Sequence, residues 1–590
     1  MNFRCLGAIA SSLVLAGTAN LALAKQPNVV VILADDLGFS DLASYGSEIN
    51  TPNIDQLAEE GVRFSNYHTA ASCAPTRAML LTGVDSHRAG VANIAEAIPS
   101  EQEDSPFYRG TLNDNVVTIA TLLKDAGYHT YMSGKWHLGH KSPELRPFNR
   151  GFERTVMMAD SGADNWEQRP YLPTYSKANW YADGEETNLP DDFYSSKFLV
   201  DKAIEFIESN KEDDKPFFSY IPFQAVHMPV QAPKEFTEKY MGVYDQGWTE
   251  LRKKRQQAVK ELGLVSQETE MVDMHTTENW DALSKEEKRF HSKSMAVYAG
   301  MVDAMDYNIG RFIQYLKDTG EYDNTIFIFT SDNGAEPSDP IAISKLFKFW
   351  MMRVGYSRDY ETLGEKGSWS YIGPSFASAA AAPLSYYKFF SGEGGMRVPM
   401  IIAGPAVPEN MKGTISNALT YVKDMAPTVL ELVGVKHPGT EYKDKTVEPM
   451  TGKSLVSLVD GDADQVHTDK EYLAYEIGGN AALIKGDYKI VFNRGPTGDD
   501  KWHLYNLAKD PGEAKELSTL EPEIYAELVQ DYENYVVENG VLPMPEGYDQ
   551  RAELKKKYLK EKVAPVGLGS LAVIAAIIMV RRSRKRASSK

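Results

Sequence analysis

An α/β fold is what the sequence predicts: a large mixed, mostly parallel sheet flanked by helices, followed by a smaller C-terminal domain of antiparallel sheet plus helix. Three observations point there. Residues 28–34 (NVVVILA) and 325–330 (TIFIFT) are unbroken apolar runs rich in β-branched and aromatic residues, as strands buried on both faces of a parallel sheet require. Helical periodicities alternate with further strand candidates over the first 460 residues. From about residue 471 the pattern changes. EYLAYEI, AALIKG, YKIVFN and WHLYNL follow one another with short turns and read as an antiparallel meander.

The elements justify themselves in order. Residues 52–61 (PNIDQLAEEG) have Pro early and Gly last, the two punctuation marks of a helix. A short strand is expected at 63–67, a helix at 116–126 and a strand at 128–132, with GKWHLG (134–139) after it as a loop. Residues 195–209 have helical periodicity, and 216–222 (PFFSYIP) reads as another strand. Tyr298, Val302, Met305, Ile309, Phe312 and Leu316 recur every three or four residues, one face of an amphipathic helix. A strand at 398–402 and a helix at 522–538 complete the pattern. The aromatic-rich stretches 160–185 and 341–390 are insertions. Their Trp166, Trp180, Trp350 and Trp369 either border a substrate mouth or pack the insertions themselves.

The ends differ from the body. Residues 1–24 resemble a secretory signal: Arg4, an apolar run over 6–15 and Ala22-Leu23-Ala24 before Lys25. Such a segment would be removed by signal peptidase. Residues 563–580 are uncharged and mostly apolar, and Arg581, Arg582, Arg584, Lys585 and Arg586 follow at once. That combination reads as a membrane anchor with its basic side in the cytoplasm, or as a C-terminal sorting tag. The expected division is therefore signal peptide 1–24, catalytic domain 25–460, C-terminal α+β subdomain 461–550, linker 551–562, hydrophobic segment 563–580 and basic tail 581–590. The protein is expected outside the cytoplasmic membrane, in the periplasm or at the cell surface.

Of 590 residues, 43% are apolar and 25% charged, ordinary for a globular protein. The net charge of −19 argues against a nucleic-acid binder, and an anionic substrate would need local positive charge to hold it. There are two cysteines, Cys5 in the signal segment and Cys73. One cysteine cannot staple a secreted chain, so Cys73 is either a buried filler or chemically special.

Chemistry concentrates where buried strands end. Asp35-Asp36 follows the first and Asp332-Asn333 the second. Either pair alone is more often a helix or turn cap. Two pairs after two matching strands converge at a carboxyl edge, where open sheets bind ligands. Their all-oxygen donor set suits a hard cation, Ca²⁺ or Mg²⁺, rather than Zn²⁺. Cys73-Ala-Pro-Thr-Arg77 opens a helix that Gly83 closes. Cys73 then lies at a helix N-terminus, an anion-favouring position, with Arg77 one turn on.

CAPTR followed by AMLLTG resembles the sulfatase signature, Cys-x-Pro-Ser/Thr-Arg, and GKWHLG resembles the second sulfatase signature. With DD and DN in the matching order, the chain resembles the sulfatase family of the alkaline-phosphatase-like superfamily, bacterial arylsulfatases above all. The resemblance continues through PFFSYIPFQAVHMPVQAP, YAGMVDAMD, SDNGAE and YKFFSGEGGMRVP, and covers most of residues 27–515.

The resemblance implies a sulfuric ester hydrolase acting on an aryl, alkyl or carbohydrate sulfate. Cys73 would be oxidised by a maturation enzyme to Cα-formylglycine, whose hydrate is the nucleophile. Asp35, Asp36, Asp332 and Asn333, with the modified Cys73, would bind one divalent metal, calcium before magnesium. Arg77 would hold the formylglycine diol, and Lys135 the sulfate oxygens. His137 would act as the base that expels sulfate. His227 and Lys388 would contact the bridging oxygen, His227 as proton donor to the leaving alcohol. The rivals are a phosphonate monoester or phosphodiester hydrolase of the same superfamily, and a surface glycan-binding homologue without activity. Asn333 argues against a two-zinc phosphatase, in which a zinc-binding His is expected there.

Overall fold

The computed structural model describes residues 25–343 and 345–558. The expected signal segment with Cys5, the 563–580 segment and the basic tail lie outside the described residues. Among the described residues no helix is long and apolar enough to cross a membrane.

The chain runs through β1 (Asn28–Ala34), β2 (Gly61–Phe64), β3 (Tyr67–His68), β4 (His129–Lys135), β5 (Arg154–Met158), β6 (Trp180–Ala182) and β7 (Glu185–Glu186). It continues with β8 (Phe217–Pro222), β9 (Thr325–Ser331), β10 (Met400–Ala403), β11 (Ile415–Ser416), β12 (Thr420–Tyr421), β13 (Glu441–Tyr442) and β14 (Lys445–Thr446). The ten-stranded sheet has the order β11-β2-β10-β9-β1-β8-β4-β5-β6-β7. Its centre, β9-β1-β8-β4-β5, is parallel; β10 runs antiparallel to both β9 and β2.

The two faces of β1 explain why NVVVILA does not alternate. Val30 and Ile32 pack into one core with Met301, Met305 and Phe312 of helix Lys285–Asp318. Val29, Val31 and Leu33 pack into the other with Ala74, Ala78 and Leu81 of α2 (Cys73–Thr82), the helix that follows α1 (Pro52–Glu60). Full burial of such a side chain stabilises by about 1.5–3 kcal/mol. Both faces need apolar residues, so a charge at any of these positions would break the strand.

Several boundaries differ from the sequence expectation, and β4 runs on to Lys135, into the start of the stretch expected as a loop. The strand expected at 63–67 is divided into β2 and β3. The helix expected from 116 starts at Ile119, because the Thr118 side chain accepts the Thr121 N–H and caps it there. The helix around Tyr298 starts much earlier, at Lys285, where Ser284 and Glu287 form a reciprocal capping box. Within the stretch expected as a linker, Gln550–Tyr558 is helical.

The meander is present as β15 (Tyr472–Ile477), β16 (Asn480–Lys485), β17 (Tyr488–Phe492) and β18 (Trp502–Asn506), antiparallel in sequence order. Helix Pro522–Asn539 covers it, packing Leu528 and Tyr535 on Leu483, Ile490 and Leu504.

Candidate active site

The register of β1 and β9 places Ala34 opposite Ser331, so the two acidic pairs leave the sheet side by side. Asp36 takes a left-handed backbone (φ 66°), which Asp tolerates better than most residues, and its N–H donates to Asp332 Oδ1 at 3.2 Å. Lys135 is the last residue of β4, and His137, also left-handed (φ 56°), follows it. His227 lies just beyond β8. Lys388 arrives on the loop before β10, its N–H donating to Ala335 O at 3.2 Å. These residues therefore converge from separate strand ends on one carboxyl edge.

Cys73 starts α2, and Gly83 ends it in the left-handed conformation with its N–H on Met79 O. The Cys73 Sγ lies 3.9 Å from Asp36 Oδ1 and is buried. Ligand atoms of Asp35, Asp36, Cys73 and Asp332 all lie within 4.8 Å of one another. Asn333 completes the set: its Nδ2 donates to Asp36 Oδ1 (2.7 Å), while its Oδ1 is buried with no hydrogen-bond partner. An orphaned buried oxygen beside three carboxylates fits a hard divalent cation, which would satisfy all four groups at once.

Cations of the chain surround these acids. Arg77 donates from Nε and Nη2 to Asp332 Oδ2 (2.9 and 2.7 Å) and from Nη1 to Lys135 O. Lys135 Nζ donates to both Asp35 oxygens (2.8 and 2.7 Å). Lys388 Nζ lies 2.7 Å from Asp36 Oδ1 and 2.8 Å from Glu336 Oε2. Burial pushes the Asp35 carboxyl well up, against the pull of Lys135. Burial acts the same way on Asp36, but Lys388 and His227 overcome it and hold that carboxyl low. Burial also pushes the Cys73 thiol up, and Lys135 and Lys388 only partly oppose it. Desolvation works against the Lys388 ammonium, but Asp36 and the other acidic groups around it together overcome that and hold it strongly charged.

The two histidines differ. His227 donates its Nδ1–H to Met228 O (2.6 Å), which leaves Nε2 facing Asp36 Oδ2 at 3.6 Å. Burial lowers its basicity strongly, against Asp36. His137 has neither ring nitrogen hydrogen-bonded, although both are buried; Glu96 Oε2 lies 3.6 Å from its Nε2. Burial lowers its basicity too, and Glu96 opposes that.

All ten residues singled out in the sequence, Asp35, Asp36, Cys73, Arg77, Lys135, His137, His227, Asp332, Asn333 and Lys388, are buried at the carboxyl edge of the main sheet. Sequence reasoning missed Glu336 and Glu96. Glu336 ends SDNGAE and was legible as an acid near a strand end. Glu96 has no local signal. Tyr175 donates to Glu96 and shares Ser161 with Tyr171, whose ring lies edge-on to His227 at 5.2 Å. Two of the four tryptophans do not border the mouth. Trp180 packs between Phe193 and Phe198 in the core, and Trp369 is buried against Phe347 and Tyr356.

The fold and the site define a hydrolase for an anionic ester: an all-oxygen cation cradle, a buried residue at a helix N-terminus, and cationic side chains around both. The sulfatase family pattern matches residues 27–435, and the pattern described as N-sulphoglucosamine sulphohydrolase, C-terminal, matches 385–539. An uncharacterized sulfatase of Schizosaccharomyces pombe is 41% identical over 542 residues, 89% of this chain and 96% of that one. An arylsulfatase of Klebsiella aerogenes is 36% identical over 461 residues, 78% of this chain and 97% of that one. A structure solved with its substrate D-glucosamine-2-N,6-O-disulfate shares the fold at a TM-score of 0.57 and 22% identity, over 89% of this chain and all of that one. The chain belongs to the sulfatase family, close to bacterial arylsulfatase, and is a sulfuric ester hydrolase.

Proposed function

We propose that this chain hydrolyses sulfate esters through a Cα-formylglycine formed from Cys73 and a single calcium ion held by Asp35, Asp36, Asp332 and Asn333. The observation that carries the reading is the placing of the Cys73 thiol inside the same ligand sphere as three carboxylates. Burial that keeps the thiol protonated makes the unmodified residue a poor nucleophile, which supports its conversion by a maturation enzyme. When bound by Asp35, Asp36, Asp332 and Asn333, the cation would supply Lewis-acid polarisation of a sulfate oxygen, and a hydrated formylglycine at Cys73 would supply the attacking hydroxyl.

The chain's own groups do the rest. Arg77 locks Asp332 and the end of β4 together and so fixes the metal cradle. Lys135 and Lys388 counter the charge of the sulfate. His137, whose ring nitrogens carry no hydrogen bond, acts as the base in release of sulfate. His227 has its Nδ1–H fixed on Met228 O, so only Nε2 is available to carry a proton to the leaving oxygen. The negative charge of the ester favours the imidazolium there. Export and delivery to the periplasm or cell surface are part of the same reading, supported by the sequence of the two ends.

In protein produced with its maturation enzyme, the tryptic peptide containing Cys73 should carry an aldehyde by mass spectrometry. An aryl sulfate should be hydrolysed in preference to a paired phosphate diester or phosphonate. Chelation should abolish turnover and calcium restore it. Unmodified thiol in fully active protein would sink the nucleophile assignment, and preference for a phosphorus ester would establish the rival hydrolase. A sulfated glucosamine beside the aryl ester distinguishes carbohydrate from aryl leaving groups.

A further inference from the structure

We propose that the C-terminal sheet is a positioning element of the active site, in which Tyr475 and Asn480, with Asn493 and the buried Lys489, hold the backbone segments that carry Cys73 and Lys388. The inference rests on the roles given above to those two residues. Tyr475, Asn480 and Asn493 reach the site through main-chain groups of residues 71, 389 and 391, within three residues of Cys73 or Lys388, and Lys489 acts through the carboxylates of Glu393 and Glu513.

The contacts form one continuous path. Ala71, two residues before Cys73, donates its N–H to the Tyr475 hydroxyl at 2.9 Å, and Tyr475 is buried on β15. The Ala71 carbonyl accepts the N–H of Phe389 at 2.7 Å, so the Cys73 and Lys388 segments touch directly. The Phe389 carbonyl in turn accepts from Asn480 Nδ2 at 2.7 Å. Asn480 Oδ1 accepts the Arg494 N–H (2.7 Å), which fixes the amide so that its donor faces Phe389. Two residues on, Ser391 N–H donates to Asn493 Oδ1 at 2.8 Å.

An ion cluster closes the path. Lys489 on β17 is fully buried between Glu393 and Glu513, 2.8 Å from each. His68 Nε2 lies 3.0 Å from Glu393, and the Glu393 N–H donates to Glu513 Oε2 at 2.8 Å. Buried ion pairs are poor sources of stability and better suited to fixing one arrangement. That is what this loop needs. Phe389, directly after Lys388, has a left-handed backbone (φ 73°), which a bulky side chain keeps only when its surroundings over-determine it. The C-terminal sheet supplies that constraint on one side, and Ala71 supplies it on the other.

The test uses the full chain produced with the maturation enzyme and assayed with calcium on an aryl sulfate, turnover being expressed per formylglycine measured by mass spectrometry. Tyr475→Phe removes one hydrogen bond and Asn480→Ala two, the one to Phe389 O and the one from the Arg494 N–H, and neither removes a charge. Both should keep a thermal midpoint close to the parent's and a similar KM, with kcat lowered about 10- to 100-fold, as small displacements of reacting groups do. Combined with Lys388→Ala, Asn480→Ala should cause no further loss, because it acts through that lysine. A loss by the same factor in both backgrounds would overturn the proposal. So would parental kcat with only a lowered midpoint, which marks packing and nothing more. Parental turnover in Lys388→Ala alone would overturn it together with the role given to that lysine, whereas aldehyde at Cys73 and sulfate specificity would still stand.

Discussion

His137 has both ring nitrogens buried and unpaired, with one carboxylate, Glu96, at 3.6 Å. Glu96 is held down to about 2: burial raises it, but His137 and Tyr175 more than offset that, so it remains charged through the working range. Its charge is what opposes the loss of basicity that burial imposes on His137. A base must be neutral to act, so activity falls as pH drops through the His137 pKa. Removing the carboxylate lowers that pKa further. Glu96→Gln should therefore move the acidic limb of the kcat profile to lower pH, because sulfate release follows departure of the alcohol, and an unmoved limb would separate Glu96 from His137. The site's acids also show what is legible at this scale. Asp35, Asp36, Asp332 and Asn333 follow apolar strands and announce themselves by position. Glu96 meets His137 only through tertiary folding of a loop, and its sequence neighbours carry no trace of the contact. Trp180 and Trp369 show the converse: an aromatic in an insertion looks the same in sequence whether it lines a mouth or fills a core.

Elements were legible where one physical rule dominated. The double-sided burial of β1 and β9 forces unbroken apolar runs, and the meander's period and turns define β15 to β18. Boundaries set by side-chain hydrogen bonds were not. The Thr118 cap delays one helix, and the Ser284–Glu287 box starts another through KEEKRFHSKS, whose polar faces give no periodic apolar signal. Contacts between turns are equally hidden. Gly334, after Asp332-Asn333, donates its N–H to Gly395 O, and a Cβ built on it would lie 1.9 Å from Gly394 O. Backbone on both sides leaves nothing flexible to yield. Gly334→Ala should therefore push the metal-side turn from the loop that follows Lys388. The expected cost is about 1–3 kcal/mol in urea denaturation, the range for overpacking, with turnover lost out of proportion to stability. Parental turnover at unchanged stability would show that the two turns can separate freely.

At the scale of the whole molecule, the net charge of −19 and the site's lysines and arginine oppose each other, so anion recognition depends on local groups that the overall field does not help. The two-part architecture was legible from the change of pattern near residue 471, but not the ties between the parts, because they join residues hundreds apart. His87 is one such tie. Just past α2, it is fully buried, with Nε2 2.9 Å from Glu476 Oε2 on β15 and Nδ1 3.5 Å from Asp85 Oδ1. Tyr535, from the helix that covers the meander, donates to Asp85 at 3.1 Å. Burial alone would lower the His87 pKa, but Asp85 and Glu476 raise it to about 9. The folded pKa thus lies above the unfolded one of about 6.5. The stabilisation is fully present below about pH 6.5 and is lost as pH rises through about 9. Buried Asp160 and Asp306, both raised to about 7 by burial, finish titrating before the upper part of that window. Between pH 7 and 9.5 the urea midpoint should therefore fall, by the equivalent of about 2–3 kcal/mol for this one proton. His87→Gln should be less stable than the parent at pH 7, and its midpoint should be nearly flat over the same interval. An equally steep fall in the variant would place the titrating group elsewhere and leave His87 a neutral packing residue at the seam.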